Sequence, residues 1–438
     1  MFSRDDTKAV KGIAVLLMLF HHLAAFQNRF PVHFSGFKSL LWKEFVTRGY
    51  LTQLANNCSI CVSIFFFLGG YGMQYRFSRG TYNITNALVQ LYKAYWKVYI
   101  IYVPIAIIFS RCSIKTPNIF CTRYTYDDPR DLVTNIISNF FGFSSFFCAE
   151  WWFFQSYIFT LPLGYLFCKF TDKHDNIIID VFLVILSDIL IRNVFPSITY
   201  IPSFQNLRNN FYYSKIFTND ARCSCFFSGI FFAKYNKIED IKKWLKDFLF
   251  SPAIGFICCF LVLYTRVYIR GGDFDTFYCP TFVICFSTFL DGDIHIKKVF
   301  EFLGKHSTNM WLNHAFYCYY YFYCTKAVYS TKNVWLDMLI LVALSLVSSI
   351  LIELFYDKVC IYFKKLIKWI KEKLKSQGIS PSELTMQSDN SNNMWIEINE
   401  EESINELTRS NELIQLNEPN QQNDIHQSED INQPKEES

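Results

Sequence analysis

Eleven apolar runs, most of them nearly twenty residues long, decide what this chain can fold into. They lie near 10–28, 57–75, 92–110, 132–148, 150–169, 176–192, 223–236, 248–266, 276–291, 307–325 and 334–356. A helix needs about 20 mostly apolar residues to cross a bilayer, since each residue rises about 1.5 Å through roughly 30 Å of hydrocarbon. The run around Asn135 to Phe147 is short and polar at both ends, so it reads as re-entrant or interfacial. The expected fold is all-α, a polytopic membrane helix bundle with about ten transmembrane helices.

An even number of spans puts both termini on one side, and the Lys/Arg distribution chooses the side. Lys8 and Lys11 open the first run, and Arg76, Arg79, Lys93 and Lys97 fall between the second and third. Lys234, Lys237, Lys242, Lys243 and Lys246 collect after a later run, and Lys297, Lys298 and Lys305 after another. These fall on one face of a ten-span arrangement, read as cytoplasmic, which makes the chain a multi-pass protein of the cell membrane. The loop carrying Cys112, Cys121 and Arg123 is then external.

The chain divides by composition. From Ser376 onward 14 acidic residues face only Arg409 and Lys435, whereas the rest carries 40 basic against 24 acidic residues. Residues 1–357 read as the transmembrane domain. Residues 358–375 read as a basic amphipathic helix on an anionic leaflet, with Lys364, Lys368, Lys371 and Lys375 at helical spacing. Residues 376–438 are too poor in apolar groups to pack and read as a disordered tail. The basic excess belongs to cytoplasmic loops, so no nucleic-acid partner is implied. Many of the 15 cysteines sit inside apolar runs, and no pair of CxxC motifs marks a metal site. Cys112, Cys121 and Cys148 share one extramembrane region and can pair on an oxidising side.

A histidine inside an apolar span is a functional-site hypothesis by default. Lys11 and His22 are eleven residues apart, about three turns plus 20°, so they share one helix face with about 16 Å of rise between them. His21 points about 100° away. The plain alternative is a snorkelling Lys11 and a histidine that bonds a neighbouring helix. Arg76 and Arg79, three apart, suit phosphates or are ordinary positive-inside charge. Ser307 and His314, seven apart with Trp311 between them, share a face that lines a site or packs against a helix. Glu150 beside Trp151 and Trp152 reads first as an interfacial aromatic belt and second as a catalytic acid.

Four stretches, taken in order, resemble one family. Lys11-x10-His22 looks like the opening signature of the family-3 membrane acyltransferases. Val62-Ser-Ile-Phe-Phe-Phe-Leu-Gly69-Gly70-Tyr71 is similar to that family's second-span motif, with Gly69 where serine is usual and Lys8 earlier where aspartate is common. Glu150-Trp151-Trp152-Phe153 resembles its entry to a middle span. Leu303-Gly304-Lys305-His306-Ser307 through Trp311-Leu-Asn313-His314 resembles its late segment. The resemblance covers roughly residues 5–360. It implies transfer of an acyl group, acetyl by family habit, from acyl-CoA to a hydroxyl of an extracytoplasmic acceptor such as a carbohydrate. His22 would be base or transient acyl carrier, and Lys11, Arg76 and Arg79 would hold the coenzyme A phosphates. Trp151, Trp152, Ser307 and His314 would line the substrate site, and no metal is called for. Two rivals stay open: a transporter using His22, Asp188 and Glu353 as a proton relay, and a non-catalytic member that binds a lipid or partner.

Overall fold

Ser3 starts the first helix. Its hydroxyl accepts from the Asp6 amide while the Asp6 carboxylate accepts from the Ser3 amide, a reciprocal cap that begins the helix six residues before the apolar run. The structure, a computed structural model, describes residues 2–26, 49–110, 129–174, 176–209, 213, 221–247, 251–266, 268 and 272–376. Within them the helices run α1 Arg4–Ala24, α2 Tyr50–Asn57, α3 Ile60–Phe77, α4 Ile84–Ser110, α5 Pro129–Phe140, α6 Trp152–Thr171 and α7 Ile177–Ile189. They continue as α8 Ser224–Lys234, α9 Lys237–Asp247, α10 Pro252–Thr265, α11 Asp275–Leu290, α12 Ile294–Ala315, α13 Phe322–Val328 and α14 Val334–Ser376. No strand occurs among the described residues.

Four segments are long and apolar enough to cross a membrane: Arg4–Ala24, Leu51–Phe77, Ile84–Ile108 and Val334–Ile370. The apolar helices Ser224–Lys234, Pro252–Thr265 and Asp275–Leu290 are shorter. At about 1.5 Å per residue they fall short of a hydrocarbon core of roughly 30 Å. By length and composition together four helices qualify as spans, fewer than the ten or so expected from the apolar runs. The run expected to begin at 307 starts earlier, at Ile294, because Asp293 caps it through the amides of His295 and Ile296. That first half carries Lys297, Lys298, Glu301 and Lys305, which hid it from an apolar reading.

The α5 run ends inside the bundle, where its last carbonyls have no intrahelical donors. Helix α4 supplies them. Tyr99 donates to Ile136 O at 2.8 Å, Tyr95 to Asn139 O at 2.7 Å, Trp96 to Phe140 O at 2.9 Å and Tyr92 to Phe141 O at 2.9 Å. One aromatic face of α4 thus satisfies the end of α5, a helix of 12 residues.

Helices α12 and α14 are joined by polar contacts rather than by apolar packing alone. His306 Nδ1 meets Ser349 Oγ at 3.0 Å, Asn313 donates to Ser345 O at 3.2 Å, and Asn309 donates to Glu353 at 2.7 Å. Lys97 of α4 completes the Glu353 site at 2.8 Å. In lipid such bonds hold helices together where the hydrophobic effect offers no net preference.

Residues to Cys360 form one compact unit and those from Ile361 another, of which the described part continues the α14 helix to Ser376. The expected tail beyond Ser376 and the loop with Cys112, Cys121 and Arg123 lie outside the described residues. Cys148 is a buried free thiol that donates to Glu150 at 3.7 Å, and Cys112 and Cys121, with which it was expected to be able to pair, lie outside the described residues.

Candidate active site

Two glycines set the site. Helices α1 and α12 run side by side in the same direction, and they touch at Gly12 and Gly304. A Cβ added at Gly12 would lie 2.1 Å from Phe300 O, and one added at Gly304 would lie 1.8 Å from Lys8 O. No other residue permits backbones this close. The contact carries His22 and His314, farther along each helix, to a ring separation of 4.7 Å. His314 is fully buried, and its Nδ1 donates to Trp311 O at 2.6 Å. The carbonyl can only accept, so Nδ1 holds the hydrogen and Nε2 is left as an acceptor, without a partner among the described residues.

Just past His314 the helix widens into a π turn, Phe316–Tyr320. Such turns break the ordinary side-chain register and are frequent at functional sites. Here adjacent tyrosines reach the site. Tyr319 donates to the His22 backbone carbonyl, and its oxygen is 3.5 Å from His22 Nδ1. Tyr320 donates to the Glu150 carboxylate at 2.7 Å.

His22 and Glu150 line one cavity of about 710 Å3, together with His21, Met18, Phe65, Trp152, Phe153, Trp311, Gln53 and Asn57. Its wall also includes Arg222 and Arg266. Arg266 lies just after α10 and forks onto Asp275, with Nε and Nη2 at 2.7 and 2.9 Å from the two carboxylate oxygens. Ser63 donates to the same carboxylate, and Arg222 stands 3.8 Å from it while donating to Ser59 O at 2.8 Å. The bidentate pair and its added donors compensate charges that are otherwise costly to bury. The cavity wall therefore carries histidines, a carboxylate and guanidiniums.

The residues singled out by sequence fall in different places. His22, Trp152 and, directly behind His22, His314 come together at the cavity. Lys11 sits at the far end of the His22 face, half-buried and under the charges of Arg4 and Arg76. Trp151 and Ser307 do not line the cavity. The Trp151 indole donates to Leu312 O at 2.9 Å, and the Ser307 hydroxyl turns back to Gly304 O at 2.8 Å on its own helix. Arg79 does not pair with Arg76 on one helix face, because α3 ends at Phe77. Instead Arg79 stacks on Tyr75 at 4.1 Å and Arg76 on Tyr82 at 5.1 Å. The carboxylates of the proposed proton relay are tied up elsewhere, Asp188 with Arg192 at 2.7 Å and Glu353 with Lys97 at 2.8 Å.

Glu150 was weighed mainly as part of an interfacial belt, yet it is buried and faces the cavity. Arg222, Arg266, Tyr319 and Tyr320 were not singled out at all. Their only sequence signal is a charge or hydroxyl next to an apolar run, which many non-functional residues share.

Comparison with curated proteins and with solved structures gives no match. The profile of the acyltransferase-3 family, described as an acyltransferase domain, matches residues 6–354. That interval contains both touching glycines, both histidines and every residue of the cavity wall, and the chain belongs to the acyltransferase-3 family.

Proposed function

We propose that the protein transfers an acyl group, acetyl in the simplest case, from acyl-CoA to a hydroxyl of an extracytoplasmic acceptor, a carbohydrate. It would span the cell membrane about ten times with both termini cytoplasmic, the shorter helices crossing as part of the bundle. The observation that carries the chemistry is the meeting of His22 with His314 beside Glu150. Histidine suits proton transfer near neutral pH. With His22 as base, its ring takes the proton of the acceptor hydroxyl and the oxygen attacks the thioester carbonyl. The C–S bond breaks, and the coenzyme A thiolate recovers the proton. With His22 as acyl carrier, its ring nitrogen attacks the thioester carbonyl and expels the coenzyme A thiolate, and the acceptor hydroxyl then takes the acyl group, freeing the ring and giving its proton to the thiolate. In either case positive charge develops on His22, and the His314 Nε2 lone pair and the Glu150 carboxylate oppose it.

Lys11 and Arg76 form a cationic cluster some 16 Å from His22 along α1, suited to the phosphates of the donor, with Arg79 beyond the helix end as a further cation. No carboxylate ion-pairs with Lys11 among the described residues, so a phosphate could neutralise it. The transporter reading is disfavoured by the separate ion pairs of Asp188 and Glu353.

The test is radiolabelled acetyl-CoA presented to the purified full chain in nanodiscs. Binding, with release or transfer of label that His22→Ala removes, supports the reading. A folded wild-type protein that binds no acyl-CoA ends it. Impermeant thiol labelling of a variant retaining only Cys121 checks the topology, since labelling of intact cells is expected.

A further inference from the structure

On α3, positions 65, 69, 72 and 76 follow one another at steps of four, three and four, so they share a helix face. Positions 11, 15, 18 and 22 of α1 repeat the same steps. The two stripes run antiparallel. At one end Arg76 stands by Lys11, and at the other Phe65 and Met18 line the cavity with His22. Between the ends the α3 stripe consists of two glycines, and a Cβ at Gly72 would meet nothing within 4 Å. At Gly69 an added Cβ would lie 2.3 Å from the Tyr157 hydroxyl. Tyr157 belongs to α6, and its ring is held by Phe66, Phe153 and Phe226 at 5.8, 5.6 and 5.9 Å. Its hydroxyl makes no hydrogen bond among the described residues. Tyr157 is half-buried, and a hydroxyl left without a partner among aromatic rings is unfavourable.

We infer that Tyr157 is a positioning residue for the donor, its hydroxyl hydrogen-bonding an amide of the pantetheine arm as that arm passes Gly69 between the Lys11–Arg76 end and His22. The inference rests on the acyl-CoA reading above. An arm that threads an apolar stripe carries two amides out of water, and each needs a partner there. Along this stripe the Tyr157 hydroxyl is the polar group available, and Gly69 is the residue that leaves it room. Where the resembled family places serine, a hydroxyl would come from α3. Here the phenol brings one to the same point from α6.

The test measures acetyl-CoA affinity and its Michaelis constant for the full chain in nanodiscs, with ADP bearing a 3′-phosphate as a probe that lacks the arm. Tyr157→Phe is expected to weaken acetyl-CoA binding roughly three- to tenfold, the worth of one hydrogen bond, and to leave the nucleotide probe unchanged. Adding Gly69→Ser to Tyr157→Phe should recover most of the loss, because the serine hydroxyl takes the place the phenol vacates. Unchanged acetyl-CoA affinity in Tyr157→Phe overturns the inference. So does equal weakening of both probes, or a folded double variant no better than Tyr157→Phe. A wild-type protein that binds neither probe instead overturns the acyl-CoA reading itself.

Discussion

His22 and His314 each stand ten residues beyond a glycine, Gly12 on α1 and Gly304 on α12, at which the two helices touch backbone to backbone. Equal spacing from a shared contact brings both rings to the same height, about 15 Å along each helix. Alanine at either glycine must push the helices apart, because the clashing atoms are backbone carbonyls that cannot rotate away. Gly12→Ala and Gly304→Ala should each lower transfer about 10²-fold, the scale expected when reacting groups shift by about 1 Å. The same protein should still insert and unfold cooperatively in a thermal melt. Near-normal turnover from a folded Gly304→Ala protein would show that the contact does not set the site.

The two neighbouring histidines should separate cleanly. His21 Nδ1 donates to Ala55 O at 2.8 Å, which ties α1 to α2. His21→Ala should therefore lose about 0.6–2 kcal/mol of packing and keep most of its turnover. His22→Ala should lose at least ~10²-fold in turnover while binding acetyl-CoA normally. Steady-state rates and donor affinity on both variants decide this. The reverse pattern would move the chemistry to the other face of α1.

Legibility tracked the range of the interaction. The Lys11–His22 stripe and the helical class are local, set by periodicity within one segment, and they could be read directly. Span number was not, because α8 and α10 are shorter than their apolar runs and the first half of α12 carries four charges. Glu150 looks the same in sequence whether it faces headgroups or a cavity. What distinguishes it is Tyr320, 170 residues away. Ser307 has the right spacing to share a face with His314, yet hydroxyls in helices bond back to their own carbonyls, and this one does. The departure at Gly69 acquired meaning only once Tyr157 was seen against it.

Glu150→Gln keeps an oxygen to accept from Tyr320 and removes only the charge. The fold should be intact, and turnover should fall about 10-fold or more if the carboxylate opposes the charge that forms on His22. Tyr320→Phe keeps the charge and releases two hydrogen bonds, the phenol's own to Glu150, worth about 1.5–3 kcal/mol when a charged group accepts it, and the one it accepts from Ala149 N at 3.0 Å, so its effect should appear first in stability. Turnover and melting temperature on the two variants separate the roles. Equal turnover in Glu150→Gln and wild type would return Glu150 to a purely structural part.

Arg266 and Asp275 form the most deeply buried ion pair described, with side chains no more than 1% exposed. Arg266 also donates to Asn57 O at 2.9 Å and to Ser59 Oγ at 3.2 Å, so one guanidinium joins α10, α11 and the turn before α3. Asp275→Asn leaves that cation without its bidentate partner, and breaking one side of such a pair typically costs about 3–5 kcal/mol. The melting temperature in detergent should drop sharply, and the part of the cavity wall that Arg266 forms should loosen with it. Arg266→Met together with Asp275→Leu removes both charges and should be less damaging than Asp275→Asn alone, because the fully buried cation goes with its partner and only the less buried Arg222, 3.8 Å from Asp275, loses a carboxylate. If the double variant instead unfolds while Asp275→Asn melts like wild type, the stabilisation comes from the hydrogen bonds of Arg266 to the α3 turn and not from the ion pair.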